Sequence, residues 1–236
     1  MDYRLKLVPP NDVYPHEHTD QNKINSLKSR LVNNYYLNDP IQCYEVDNKY
    51  IILDGHHRYF SLVQLGAVNI PVQVIDIGDL TLEHWYHTFT THLLHFENTF
   101  TKKVNNSDIK VATIFDHYTK RYEEIFIDKE VNKISTIWTI FNTYKNSFKC
   151  SDTVINEQNC KSIKYDGILF KDILHVANCG SVFPQKTTRF LLNYRVLNFK
   201  IPINLLFNCS TIEWDQLLAI RQNKKRVYYE PVIVFE

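Results

Sequence analysis

The 236-residue sequence predicts an α/β (α+β) protein, and three observations carry that expectation. Short runs rich in Ile, Val and Leu alternate with amphipathic stretches over roughly the first third of the chain, and turn-forming Pro, Gly, Asn and Asp separate them. The aromatic share is 14 %, with 15 Tyr and 14 Phe, which favours a strand-rich component. Apolar and charged fractions of 44 % and 22 % are those of a chain that buries a core without disulfide staples.

Taken in order, residues 5–8 form a short apolar strand, followed by the turn-rich Pro9-Pro10-Asn11-Asp12. Ile24, Leu27 and Leu31 recur at helical spacing, which predicts an amphipathic helix over 22–33. Residues 41–46 and 49–53 are β-rich runs around Asp47-Asn48 and read as a hairpin. The second run enters Asp54-Gly55, and a helix begins there and stops at Gly66. Residues 70–75 read as a buried strand. A boundary near Gly78-Asp79 divides the chain into a first domain, 1–78, and a second, 79–236.

Beyond that boundary, 81–96 and 107–122 are expected to be helical, and 133–148, dominated by Ile, Thr, Trp, Phe and Tyr, β-rich. Helices are expected over 167–178 and 213–222, and strands over 201–207 and 227–235.

Composition narrows the function. A net charge of +1 without a run of five or six like charges argues against strong attraction to nucleic acid or an anionic membrane. No apolar stretch approaches the roughly 20 residues of a membrane span and the start lacks a signal-peptide core, so a cytoplasmic protein is expected. The five cysteines are scattered and never form Cys-x-x-Cys, which fits reduced thiols.

The chemistry concentrates at Asp54-Gly55-His56-His57-Arg58. A glycine between strand end and helix start turns the chain sharply and leaves the first helical N–H groups free to face an anion, for which phosphate is the natural occupant. Arg58 adds a planar multi-donor group, and His56 or His57 further donors. Asp54, at the carboxyl end of the strand, is suited to orienting a hydroxyl, taking its proton or holding Mg²⁺. Asp-Gly is also an ordinary turn and paired histidines also fill space, so local chemistry leaves both readings open. His84, His87, His92 and His95 raise the question of zinc, but no cysteine or paired carboxylate accompanies them.

The run Ile-Leu-Asp-Gly-His-His-Arg-Tyr (52–59), followed by a helix and Ile70-Pro71-Val72, resembles the nucleotide-binding core shared by ParB-type partition proteins, sulfiredoxins and free-serine kinases. Sulfiredoxins carry a reactive cysteine after the glycine, where this chain has His56, so their usual chemistry is excluded. ParB proteins follow the Gly-x-x-Arg box with a basic helix-turn-helix, and nothing strongly basic follows residue 80. Two further matches favour the kinase branch. His16-Glu17 resembles its early acidic residue, which implies Glu17 as general base. Phe-Pro-Gln-Lys-Thr-Thr-Arg-Phe (183–190) looks like its distal phosphate-binding segment, which implies phosphate contacts from Lys186, Thr187, Thr188 and Arg189. Within the branch the chain looks most like the serine kinases of staphylococcal siderophore clusters, which supply O-phosphoserine.

The resemblance implies a ParB/sulfiredoxin-like first domain, a mixed second domain and an active site in the cleft between them. It implies phosphoryl transfer from ATP or ADP to free L-serine with Mg²⁺, Glu17 and Asp54 as the essential carboxylates, and Trp85 and His87 lining the amino-acid pocket. The alternative is a ParB-like regulator that binds nucleotide and DNA. No Gly-x-x-x-x-Gly-Lys-[Ser/Thr] loop is present, so phosphate must be held by helix ends and cationic side chains.

Overall fold

The computed structural model describes residues 3–90, 108–155, 157, 159–208 and 211–227. Its first sheet has the order β1-β6-β4-β5-β2, from β1 (Arg4–Val8), β2 (Val13–Tyr14), β4 (Ile41–Val46), β5 (Lys49–Asp54) and β6 (Ile70–Ile75). β4 and β5 form the expected antiparallel hairpin. Asp47 and Asn48 both take positive φ, 49° and 60°, the turn whose twist suits a tight hairpin. β4 lies parallel to β6, and the chain crosses between them through β5 and α2 (His56–Gln64).

Helix α1 (Gln21–Asn34) starts where the Asp20 carboxylate accepts from the Asn22 N–H at 2.8 Å, and it buries Ile24 and Leu31. The alternation along β5 sends Tyr50 and Ile52 to one face of the sheet and Ile51 and Leu53 to the other. The first pair shares a core with Leu31 and Leu62 of the two helices. The second joins Phe89, Ile114, Ile140 and Tyr165 of the other lobe. A sheet buried on both faces explains why β6 is buried at every position.

The second sheet is antiparallel, with the order β10-β9-β12-β8-β11. It comprises β8 (Tyr86–Thr90), β9 (Ile109–Asp116), β10 (Arg121–Ile127), β11 (Lys149–Ser151) and β12 (Cys160–Lys164). α3 (Lys133–Asn142) and α4 (Phe170–Asn178) contribute Ile137, Ile140, Ile173 and Val176 to its core. β7 (Leu80–Glu83) pairs with β13 (Arg189–Leu192), and β3 (Tyr36–Leu37) with β14 (Ile201–Pro202). The chain then returns to the first lobe. Phe199, Ile201, Leu206 of α5 (Asn204–Asn208) and Trp214 of α6 (Thr211–Gln222) enter the core built by α1, α2 and the first sheet.

Four expectations about elements are corrected. Residues 80–90 form strands, because β8 is hydrogen-bonded on both sides, to β11 and β12; the rest of the predicted 81–96 helix lies outside the described residues. Residues 109–127 are a β-hairpin rather than a helix. Residues 133–142 are helical although β-branched, because Ile137, Ile140, Phe141 and Tyr144 recur at helical spacing and Asn132 caps the first turn. Residues 201–207 are only briefly extended before α5 begins. The predicted strand at 227–235 lies outside the described residues apart from Val227. The four described cysteines are free thiols, and among the described residues no helix is long and apolar enough to cross a membrane.

Candidate active site

Strand β5 ends at Asp54, and Gly55 turns the chain at φ +110° into α2 without any side-chain cap on its first N–H groups. The helix end is therefore chemically open to an anion. Three of the motif residues turn donors or acceptors to backbone and side-chain groups of the protein itself. His56 Nε2 accepts from the N–H groups of His16 and Glu17, both at 3.3 Å, and His57 Nε2 accepts from the Asp20 N–H at 3.2 Å. An acceptor nitrogen carries no proton, so through these atoms the two rings brace the 16–20 segment rather than donate to phosphate. Arg58 spends Nη1 on the carbonyls of Asp39 (3.1 Å) and Pro40 (2.6 Å), and Nη2 on Gln42 Oε1 (3.1 Å).

Glu17 is joined to the 183–188 segment by a parallel bridge to Phe183. Its Oε1 accepts from the Thr188 N–H (2.7 Å) and hydroxyl (2.5 Å), and Oε2 accepts from the Lys186 N–H (3.0 Å). Burial, the largest influence, pushes the Glu17 carboxyl up, and the hydrogen bonds from Thr188 and Lys186 only partly offset it, leaving it above the ordinary value. Behind it, fully buried His16 places Nε2 2.9 Å from Thr188 Oγ1. Since Thr188 donates to the carboxylate, His16 Nε2 carries the proton and donates to Thr188. Burial holds His16 neutral, its pKa lowered to about 3.

The 184–188 segment is a turn leading into β13, with Lys186 at φ +61°. Lys186 Nζ and the Arg189 guanidinium lie over the Trp85 ring, 5.1 and 5.0 Å from its centroid. Arg189 also pairs with Glu83 (3.1 Å) and Asp152 (3.3 Å). His87 does not line the cavity. It is fully buried, with Nε2 2.7 Å from the Lys186 carbonyl and Nδ1 3.0 Å from the Tyr144 hydroxyl, and burial lowers its pKa to about 4. Thr187 is also absent from the lining, its hydroxyl donating to the Pro184 carbonyl at 2.9 Å.

These pieces enclose a cavity of about 550 Å³ between the lobes. Glu17, Asp54, Gly55, His56, His57, Arg58, Trp85, Lys186, Thr188 and Arg189 all border it, so all but two of the sequence-predicted site residues converge. Arg195 borders it as well, and sequence reading missed it because it follows β13 in a loop without motif or periodicity. Its Nη1 donates to Asp54 Oδ2 at 2.6 Å. Burial would raise the Asp54 carboxyl, but Arg58 and Arg195 outweigh it and hold the group below its ordinary value.

Magnesium in nucleotide sites takes one or two carboxylates and fills its other positions with phosphate and water. Both arginine contacts to Asp54 fall on Oδ2, so Oδ1 is the atom through which this half-exposed carboxylate would hold the ion, and the donor set fits that partial role. Among the described residues no group of three or more His, Cys, Asp or Glu could hold a metal. That gives no support to zinc at His84 and His87; His92 and His95 lie outside the described residues.

No protein-family model matches the chain. It is 26 % identical to the ATP-dependent L-serine kinase SbnI of Staphylococcus aureus, over 98 % of this chain and 97 % of that one. A ParB-like protein of Sulfolobus acidocaldarius is 33 % identical over 82 residues, 34 % of this chain and 39 % of its own length. Among solved structures, C-terminally truncated SbnI superposes with a TM-score of 0.79 at 23 % identity, covering 92 % of this chain and 97 % of that one. A free serine kinase mutant in complex with ADP gives 0.65 at 17 % identity, covering 88 % and 95 %. Over almost its whole length this chain is thus similar in sequence to an ATP-dependent L-serine kinase and has the fold of the free serine kinases.

Proposed function

We propose that this protein is a kinase that transfers the terminal phosphoryl group of ATP to the hydroxyl of free L-serine, giving O-phospho-L-serine and ADP. The observation that carries the reading is the convergence of the Glu17 carboxylate and the uncapped N-terminus of α2 on one cavity, in a chain similar to a serine kinase from end to end. A new bond forms between the serine Oγ and phosphorus, and the bond to the ADP oxygen breaks. The hydroxyl proton goes to Glu17, whose raised pKa makes it a stronger base than an exposed carboxylate. Release of one hydrogen bond from the 186–188 turn opens an oxygen for that proton.

The rest is positioning and charge neutralisation. The α2 N–H groups and Lys186 face the phosphates, Asp54 orients the hydroxyl or the magnesium ion, and Trp85 holds the two cations above it. Magnesium, when bound, neutralises charge on the phosphates being separated. ATP as donor is supported by the similarity to an ATP-dependent L-serine kinase, and use of ATP suits a cytoplasmic setting. The phosphate turns serine's Cβ into a centre with a good leaving group, a chemistry suited to amino-acid or siderophore precursor synthesis. Similarity to a ParB-like protein covers about a third of the chain and does not favour DNA regulation.

The test is incubation of folded protein with ATP, Mg²⁺ and L-serine, followed by ³¹P NMR. Appearance of the phosphomonoester resonance is expected. Its absence with both ATP and ADP as donors would sink the proposal.

A further inference from the structure

The guanidinium that the sequence motif nominates for phosphate is the wrong one of a pair. Arg58 has five N–H donors. Nη1 directs both of its own at the Asp39 and Pro40 carbonyls, and Nη2 is taken by Gln42 Oε1, with Asp54 Oδ2 3.6 Å away. The face of the guanidinium lies flat on Gly55, where a Cβ would meet Arg58 Nη2 at 3.0 Å and Cζ and Nε at 3.1 Å. Arg58 is a strut that fixes the 39–42 turn against the helix start, and reaching a ligand would cost it those bonds.

Arg195 sits on the other side of Asp54. It makes one short bond to Oδ2 (2.6 Å) and one longer bond from Nη2 to the Phe190 carbonyl (3.3 Å), which leaves most of its donors uncommitted. Its backbone is fixed next door by the Val196 N–H bonding Gln73 Oε1 at 2.9 Å. It borders the same cavity as Gly55, His56 and Lys186. Extending the kinase reading above, on which this rests, we propose that Arg195 is the arginine that contacts the nucleotide's phosphates at the α2 N-terminus, with Arg58 acting as a brace and Asp54 holding Arg195 in aim while the site is empty. Anion binding then exchanges a carboxylate partner for a phosphate oxygen, and Asp54 is freed as Arg195 turns to the ligand.

Calorimetric titrations of ADP and of adenosine into wild-type protein, R195Q and R195K test this, with thermal unfolding confirming that each variant is folded. R195Q is expected to weaken ADP binding by roughly tenfold or more and to leave adenosine binding unchanged, since a lost charge-assisted bond touches only the ligand that carries phosphate. R195K recovers part of the loss. R195Q protein that binds ADP as tightly as wild type, or loses ADP and adenosine equally, overturns the assignment and leaves the kinase reading standing. Wild-type protein that binds no ADP overturns that reading and the assignment with it.

Discussion

Glu17 and Thr188, 171 positions apart in the chain, meet through two bonds to a single carboxylate oxygen, one from the Thr188 N–H at 2.7 Å and one from its hydroxyl at 2.5 Å. This contact joins the segment ahead of α1 to the turn ahead of β13, and so closes one wall of the cavity with the residue assigned as base.

Replacing Glu17 by Gln removes the proton acceptor and sets an amide NH₂ against a donor of the 186–188 turn. Serine phosphorylation is expected to fall by roughly 10²–10⁴-fold, the usual contribution of a general base. ADP binding should persist, because the phosphate contacts lie elsewhere. Steady-state rates beside a nucleotide titration decide it, and a variant that keeps wild-type turnover would remove Glu17 from the mechanism.

Gly55→Ala forces a side chain into a left-handed backbone, φ +110°, with its Cβ 3.0 Å from Arg58 Nη2. The expected cost is about 1–3 kcal/mol of unfolding free energy, together with a displaced Arg58. Urea denaturation measures it, and an unchanged midpoint would mean that the turn tolerates a Cβ.

Acid should destabilise the fold from about pH 6.5 downward. His16, His56 and His87 are held neutral by burial, at about 3, well below the ordinary 6.5, and about 4 respectively. In the unfolded chain they protonate near 6.5, so below that pH the unfolded state binds more protons and stability is lost until the folded values are reached. Each contributes a slope of ~1.4 kcal/mol per pH unit within its window. Glu17 acts in the opposite sense, because its raised folded pKa lets the native state take a proton first as pH falls. Three groups outweigh one, so urea midpoints should drop between about pH 7.5 and about pH 5.5. A flat profile would count against buried neutral imidazoles.

His87→Phe fills the same space but strips the Lys186 carbonyl of its imidazole partner and leaves the Tyr144 hydroxyl with the Tyr165 hydroxyl (2.6 Å) alone. Leaving such a carbonyl buried and unpaired costs about 1–3 kcal/mol. With the Lys186 turn released, the Michaelis constant for ATP should rise more than the turnover number falls. A variant with raised constants for serine alone would restore His87 to the amino-acid pocket.

The sequence by itself determined the first lobe and the centre of the site. Short β-rich apolar runs at β4, β5 and β6, the spacing of Ile24, Leu27 and Leu31, and an Asp-Gly turn between strand and helix are local signals, set by backbone geometry over a few residues. The second lobe was less legible because its local signals conflict. In α3, β-branched composition pointed one way and apolar spacing the other, and at β8 a stretch expected to be helical is a strand because partner strands on both sides decide the outcome. Only the tertiary structure decided what each polar group of the site does. Arg58 and the Nε2 atoms of His56 and His57 face backbone groups supplied from elsewhere in the chain, and the cavity gains Arg195 from a loop with no pattern of its own. A hydrogen bond between residues 171 positions apart leaves no periodicity in the sequence, since the partner is set by how two lobes pack rather than by neighbours along the chain.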